Sequence, residues 1–167
     1  MRKLGILGMV IALGAAGAAR GGTALQPIAE QPIKAAPGRS IALHQEVDFK
    51  AGPGRIYEAL LDAAQFTAFS SRPAEIHREA GGAFSLFGGH IIGRNVELIP
   101  NRRIVQAWRV VDWPEGVYSI ARFELTSKGS GTRLTFDHSG FPEGLREHLA
   151  EGWESNYWTL LRKYLQE

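Results

Sequence analysis

Between Glu75 and Ser139 the chain is divided into strand-length segments by turns too short for anything but hairpins. The segments are 75–79, 83–87, 90–99, 103–111, 118–127 and 131–139. Gly81-Gly82, Gly88-Gly89, Pro100-Asn101 and Gly129-Ser130-Gly131 supply turn residues between them. A parallel neighbour would need a crossover of about a dozen residues, so this spacing predicts an antiparallel meander. A further strand precedes it, because Ile41, Leu43, Gln45, Val47 and Phe49 alternate and share one face.

Helices flank the meander. Ala51-Gly52-Pro53-Gly54 turns the chain into a short helix over 55–61, with Ile56, Ala59 and Leu60 as its apolar stripe. Asp62 caps a second short helix that carries Phe66 and Phe69 and stops at Ser70-Ser71 and Pro73. The last element, 142–166, reads as one long helix. Its apolar face is Leu145, Leu149, Trp153, Trp158, Leu161 and Leu165, with Tyr157 on its edge. The expected class is α+β: about six to seven antiparallel strands, two short helices after the first strand, and a long C-terminal helix.

The chain's 167 residues leave room for one domain. The first 24 read as a secretory signal peptide: Met1-Arg2-Lys3, an uncharged apolar run from Leu4 to Ala19, then small residues before Ala18 or Ala24. That run falls short of the roughly 20 residues a bilayer span needs, so no stable membrane anchor is expected after cleavage. Residues 25–40, with Pro27, Pro32 and Pro37, read as a Pro-rich linker, and 41–167 as the folded domain. Export would be to the periplasm or beyond the cell. Cleavage after Ala24 removes Arg2, Lys3 and Arg20 and turns the formal charge from +2 to about −1. No basic stripe interleaved with aromatics appears, so nucleic acid is not an expected partner. With no cysteine there is neither a disulfide nor a thiolate site, and the domain must rest on its hydrophobic core.

All four Trp lie between Trp108 and Trp158, and rings so large and so few tend to line one shared space. The ordered run Phe87-Gly88-Gly89-His90, Gly93, Leu98-Ile99-Pro100, Arg103-Ile104-Val105-Gln106-Ala107-Trp108-Arg109, Trp113-Pro114, and Gly152-Trp153 with Tyr157-Trp158 resembles the domain related to the activator of the heat-shock protein 90 ATPase. That family belongs to the START-like, or SRPBCC, helix-grip superfamily. The resemblance implies a curved sheet gripping the C-terminal helix, with a cavity between them. Phe66, Phe69, Phe84, Trp108, Phe123, Phe136, His138, Trp153 and Tyr157 are the candidates to line it.

His138 shares its parity with Leu134 and Phe136 and should face inward. There it is either a group that holds an anion or moves a proton, or a core imidazole satisfied by Ser139, a carbonyl or a Trp N–H. His90, with the parity of Ile92, Val96 and Leu98, would approach the same interior. Arg109 is either the cation of an anion pocket or a side chain that stacks on a ring or snorkels outward. Trp113, in a hairpin loop, is either a possible partner surface or a cover for the open end of the sheet. Asp137 should point outward, and Glu147, Glu151 and Glu154 form a solvated helix face. No spacing suits a metal or any other cofactor, and Ser139 and His138, adjacent on a strand, point to opposite faces.

The expected function is binding of a small apolar or aromatic ligand by an exported, non-enzymatic domain. One alternative is a co-chaperone-like interaction module. Relatives that stimulate the ATPase carry a further N-terminal domain, and an exported protein is separated from a cytosolic chaperone, so chaperone contact is not expected. The other alternative is a cyclase or hydrolase using His138, with Arg109 or Tyr157 as helper.

Overall fold

The computed structural model describes residues 42–165. The expected signal peptide (1–24), the linker (25–40), Ile41 and the expected helix end at Gln166 lie outside the described residues. Seven strands form: β1 (Ala42–Phe49), β2 (Glu75–Ile76), β3 (Ala83–Leu86), β4 (Ile91–Ile99), β5 (Arg103–Val110), β6 (Ser119–Lys128) and β7 (Gly131–Ser139). They make one antiparallel sheet in the order β1-β7-β6-β5-β4-β3-β2. The hairpin spacing thus gives the meander, and β1 closes beside β7, with Leu43 opposite His138 and Val47 opposite Leu134. Period-two alternation sends Leu43, Val47, Phe49, Phe123, Leu125, Leu134, Phe136 and His138 into the interior.

Two short helices follow β1, namely α1 (Pro53–Leu61) and α2 (Ala63–Ser70). Pro53 at the start of α1 has the φ a first turn needs, and the Asp62 carboxylate caps α2 by accepting the Gln65 N–H at 2.9 Å. The C-terminal element runs as α3 (Arg146–Trp153), a π-helical turn (Glu154–Trp158) and α4 (Thr159–Tyr164) without leaving helical backbone angles. It lies across the inner face of the sheet, its Trp153 ring 4.3 Å from that of Phe136 on β7 and 5.5 Å from that of Trp108 on β5.

Three details differ from the sequence expectation. The segment after Pro73 pairs over only two residues, because the chain then turns back on itself: His77 N–H donates to Ala83 O, and Gly82 N–H to Glu79 O. In β4 a bulge at Val96 inserts one residue against β5 and inverts the parity. Ile91, Gly93 and Asn95 therefore face inward before it, and Val96 is exposed. Finally, the last helix begins at Arg146 rather than Pro142, since Gly144 takes φ +80° and breaks the helical path. Its π turn admits one extra residue, so Tyr157, expected on the edge, is buried together with its neighbour Trp158.

Polar side chains on the inner face each have a structural use. Gln45 on β1 accepts the Trp158 Nε1–H at 2.8 Å and donates to Ala150 O at 3.2 Å, which clasps the helix to the first strand. Gln106 donates to Asn95 Oδ1 at 3.0 Å, and Asn95 donates to His77 O at 2.9 Å. Gly93 stands opposite Trp108 in register, and a Cβ there would run into the Ala107 carbonyl and the Phe84 ring. Gly93→Ala should therefore cost about 2 kcal/mol, the usual scale of overpacking. Urea unfolding checks this, and the expected result is a lower midpoint at unchanged slope.

Candidate functional site

At one end of the helix the aromatic interior stops short of closing. A cavity of about 400 Å³ remains between the ends of β4 and β5 on one side and α3 with the π turn on the other. Its apolar wall is Phe87, Ile91, Trp108, Val110, Leu149, Trp153 and Tyr157, and Arg72, His90, His148, Glu151, Ser155 and Asn156 are its polar lining. Those six polar residues are all exposed, so they form the rim. Phe87 reaches the wall through a left-handed backbone, φ 54°, in the turn before Gly88-Gly89. Such a conformation in a bulky residue is strained and persists only where its surroundings hold it. Here the ring sits edge-on to Phe66 and Tyr157, 5.3 Å from each.

His138 is fully buried, and both of its ring nitrogens are committed. The Trp153 indole, which can only donate, gives its N–H to Nδ1 at 3.0 Å. Nε2 therefore carries the proton and donates to Ser119 Oγ at 2.7 Å. Ser119 in turn donates to the Trp108 carbonyl at 2.8 Å. The result is a directional chain, Trp153 to His138 to Ser119 to Trp108, with every member satisfied. Burial lowers the His138 pKa to about 3, which keeps the imidazole neutral.

Trp108 and Tyr157 differ from the other polar-tipped rings. Trp108 Nε1 and the Tyr157 hydroxyl are buried without a hydrogen bond of ordinary geometry, and each is the other's polar neighbour. Burial pushes the Tyr157 phenol above its ordinary value, against a smaller opposing pull from the Trp108 indole, so the hydroxyl keeps its proton.

The structure divides the sequence candidates. Trp108, Trp153 and Tyr157 line the cavity. Phe66 and Phe123 border only a small void beside Tyr157. Phe69, Phe84 and Phe136 are packed core, because rings this bulky fill the space between sheet and helix. His138 lies behind the wall, held by Trp153 and Ser119. His90 reaches the rim and not the buried interior, since the true inward parity of β4 begins at Ile91. Trp113 is buried edge-on to Trp108 at 5.6 Å and covers the end of the sheet, so it offers no partner surface. The Arg109 guanidinium donates to the carbonyls of Val110, Val111 and Trp113 and lies 5.6 Å over the Tyr118 ring, which makes it the brace of that loop and not an anion site. Asp137 points outward to His44 at 2.7 Å.

No constellation with His138 as acid or base is assembled from Arg109 or Tyr157. Among the described residues no three His, Asp or Glu side chains converge as metal ligands would. Sequence reasoning missed Phe87, Ile91, Val110 and Leu149 in the wall and Arg72 and His148 on the rim. The Phe-Gly-Gly turn was the one local signal that could have found Phe87.

His138 should make stability depend on pH. The unfolded chain takes up a proton near pH 6.5 and the folded one only near 3, so this contribution is complete above 6.5 and declines as pH falls between those values. The slope is at most about 1.4 kcal/mol per pH unit. Urea unfolding at pH 7.5 and 5 reads the loss, and a His138 ring whose NMR shifts stay fixed down to pH 5 identifies its source. A ring titrating near 6.5 would refute the assignment.

The comparisons agree with this architecture. The family described as "Activator of Hsp90 ATPase homolog 1-like protein" matches residues 50–166. The activator of 90 kDa heat shock protein ATPase homolog 2 of Mus musculus is 29% identical over 127 residues, covering 76% of this chain and 38% of that protein. The Dictyostelium discoideum homolog is 32% identical over 126 residues, covering 75% and 32% respectively. The chain thus spans about a third of the length of these curated relatives. The crystal structure of an HSP90 activator from Plasmodium falciparum superposes with a TM-score of 0.72 at 29% identity, over 75% of this chain and 96% of that one. With its antiparallel meander gripping a C-terminal helix and these matches along most of the domain, the chain belongs to the activator of Hsp90 ATPase homolog 1-like family of START-like domains.

Proposed function

We propose that the domain binds a small, largely apolar or aromatic molecule in the cavity between the sheet and the C-terminal helix, as a carrier or sensor and not as a catalyst. The observation that carries this reading is the cavity itself, about 400 Å³ with an aromatic wall and a polar rim. That size and that division of polarity are those of small-molecule sites. His138, the residue best suited to acid–base work, is neutral, saturated and behind the wall. The apolar run at the N-terminus supports export of the domain.

Family membership favours a second reading, in which the domain stimulates an Hsp90-type ATPase, as the names of its relatives say of them. The two separate at Gly152. This residue lines the cavity, and a Cβ there would meet only the Asn156 amide, at 4.0 Å. Gly152→Leu should fold, since a helix interior prefers Leu to Gly by roughly 0.8 kcal/mol, and should fill the mouth. Native mass spectrometry of the protein purified from its export compartment should show a bound small molecule, and titration with fluorene should quench the Trp fluorescence. In Gly152→Leu the affinity for fluorene should fall at least about tenfold, the scale of 1.4 kcal/mol. A clean apo mass together with no fluorene binding would refute the ligand reading. ATPase stimulation equal in both proteins would favour the second.

A further inference from the structure

The mouth of the cavity is unevenly charged, and that restricts the ligand further than the apolar wall does. Arg72, His90, His148 and Glu151 are the lining residues able to carry charge. Arg72 and His90 share one lip. Gly88 N–H donates to Pro73 O at 2.8 Å, which ties the Arg72-Pro73 segment to the Phe87–His90 turn. The same turn sends the Phe87 ring into the wall and leaves His90 on the exposed rim. His148 and Glu151 stand on the other lip, three residues apart on one side of α3.

Arg72 is held by its backbone and not by its side chain. Buried Ser70 accepts the Arg72 N–H at 3.3 Å and donates to the Arg72 carbonyl at 3.2 Å. The Ala74 N–H, two residues on, is taken by Thr67 Oγ1 at 3.2 Å. Among the described residues the Arg72 guanidinium meets no carboxylate and no carbonyl, whereas those of Arg78, Arg103, Arg109 and Arg133 are all bonded. The cation is fixed at its root and open at its tip, at the edge of an aromatic cavity.

These groups choose the sign of a ligand's charge. An anion at the mouth meets the Arg72 fork and an imidazole N–H from His90 or His148, whatever the protonation of those rings. A cation would find Glu151 as the single lining carboxylate, with the permanent charge of Arg72 on the opposite lip. Deeper in, Ile91, Val110 and Leu149 offer nothing to an ion, so a charged group stays at the rim, where water still reaches it. The planar fork of an arginine matches a carboxylate with two parallel hydrogen bonds. The rings of Phe87, Trp108, Trp153 and Tyr157 favour an aromatic body behind it.

We propose that the ligand is an aromatic carboxylic acid, bound as its carboxylate, with its rings against the wall and its charge on Arg72 at the mouth. This rests on the ligand-binding reading above and narrows it to a chemical class.

Fluorene-2-carboxylate and fluorene-2-carboxamide test it, because they share one frame and outline and differ in charge. At low salt the wild-type protein should bind the carboxylate about fivefold tighter, the upper end for an exposed ion pair, and added salt should shrink that preference. Arg72→Gln keeps most of the length and removes the charge, so the affinity ratio should fall towards one, with near-UV circular dichroism reporting that the aromatic core is intact. Glu151→Gln removes the opposing carboxylate and should raise the ratio. An acid bound no tighter than its amide, a preference that survives in Arg72→Gln, or a ratio unmoved in Glu151→Gln would each overturn the inference, while binding of fluorene itself would leave the apolar reading in place. Failure of fluorene and both derivatives to bind would overturn the ligand reading and this inference with it.

Discussion

The hydrogen-bond chain from Trp153 through His138 and Ser119 to the Trp108 carbonyl is the constraint from which the rest of the interior is arranged. It joins the helix to β7, β6 and β5 through four residues, three of them polar or polar-tipped side chains inside an apolar core. A buried network of this kind specifies one arrangement because any slip leaves a group unmet, at about 1–3 kcal/mol for each. The helix can therefore occupy only the register in which the Trp153 indole meets His138. Once Trp153 is fixed, Phe136, Phe123 and Trp108 pack on it at 4.3, 5.7 and 5.5 Å. The same chain removes His138 from chemistry: an imidazole with both nitrogens bonded and no exposure cannot meet a substrate.

From Trp153 onward the π turn decides which rings go where. An α-helical path would set Tyr157 and Trp158 about 100° apart and leave one of them on the flank. The wider turn brings both inside, Trp158 to be clasped by Gln45 and Tyr157 to close the floor of the cavity. The turn is thus the link between fastening the helix and shaping the site. π turns recur at functional positions for this reason, since they place an extra side chain where regular helix would not.

Much of the architecture was legible in the sequence, and the unread parts share a cause. The alternation in β1, the Gly-rich hairpins and the Asp62 cap are local signals, and each gave its element. The inward parity of His138 was also legible, because β7 runs without interruption from Gly131 to Ser139. In β4 the same reasoning misplaced His90, since the inserted Val96 carries no mark of its own and inverts every position before it. The π turn was equally silent: its stripe of Trp153, Trp158 and Leu161 reads as helix whichever ring lies between. Which aromatic rings enclose space and which fill it was beyond reach, because that depends on packing between elements and not on residue type. Trp113 and Arg109 show the same limit. Both have residue types suited to binding, and the fold uses both to brace one loop.

What remains is why the cavity exists at all. The domain has no disulfide, and the ion pairs on its outer face, Arg133 with Asp48 and Glu46 and Lys128 with Asp48, are exposed and of the kind that contributes little. Its stability rests on the aromatic core, so an unfilled volume beside that core forgoes contacts it could use. Gly152 makes the point sharply. Glycine in a helix interior is justified where the backbone must take a positive φ or where another chain approaches too closely for a Cβ. Neither holds here: Gly152 is not among the positive-φ glycines, and a Cβ would meet only the Asn156 amide at 4.0 Å. A side chain at 152 would improve the helix and would occupy the mouth of the cavity. The sequence declines that stabilisation at the wall where Phe87 is also held in a left-handed conformation. Two departures from what stability alone favours, gathered around one space, are what the ligand-binding role proposed above leads one to expect.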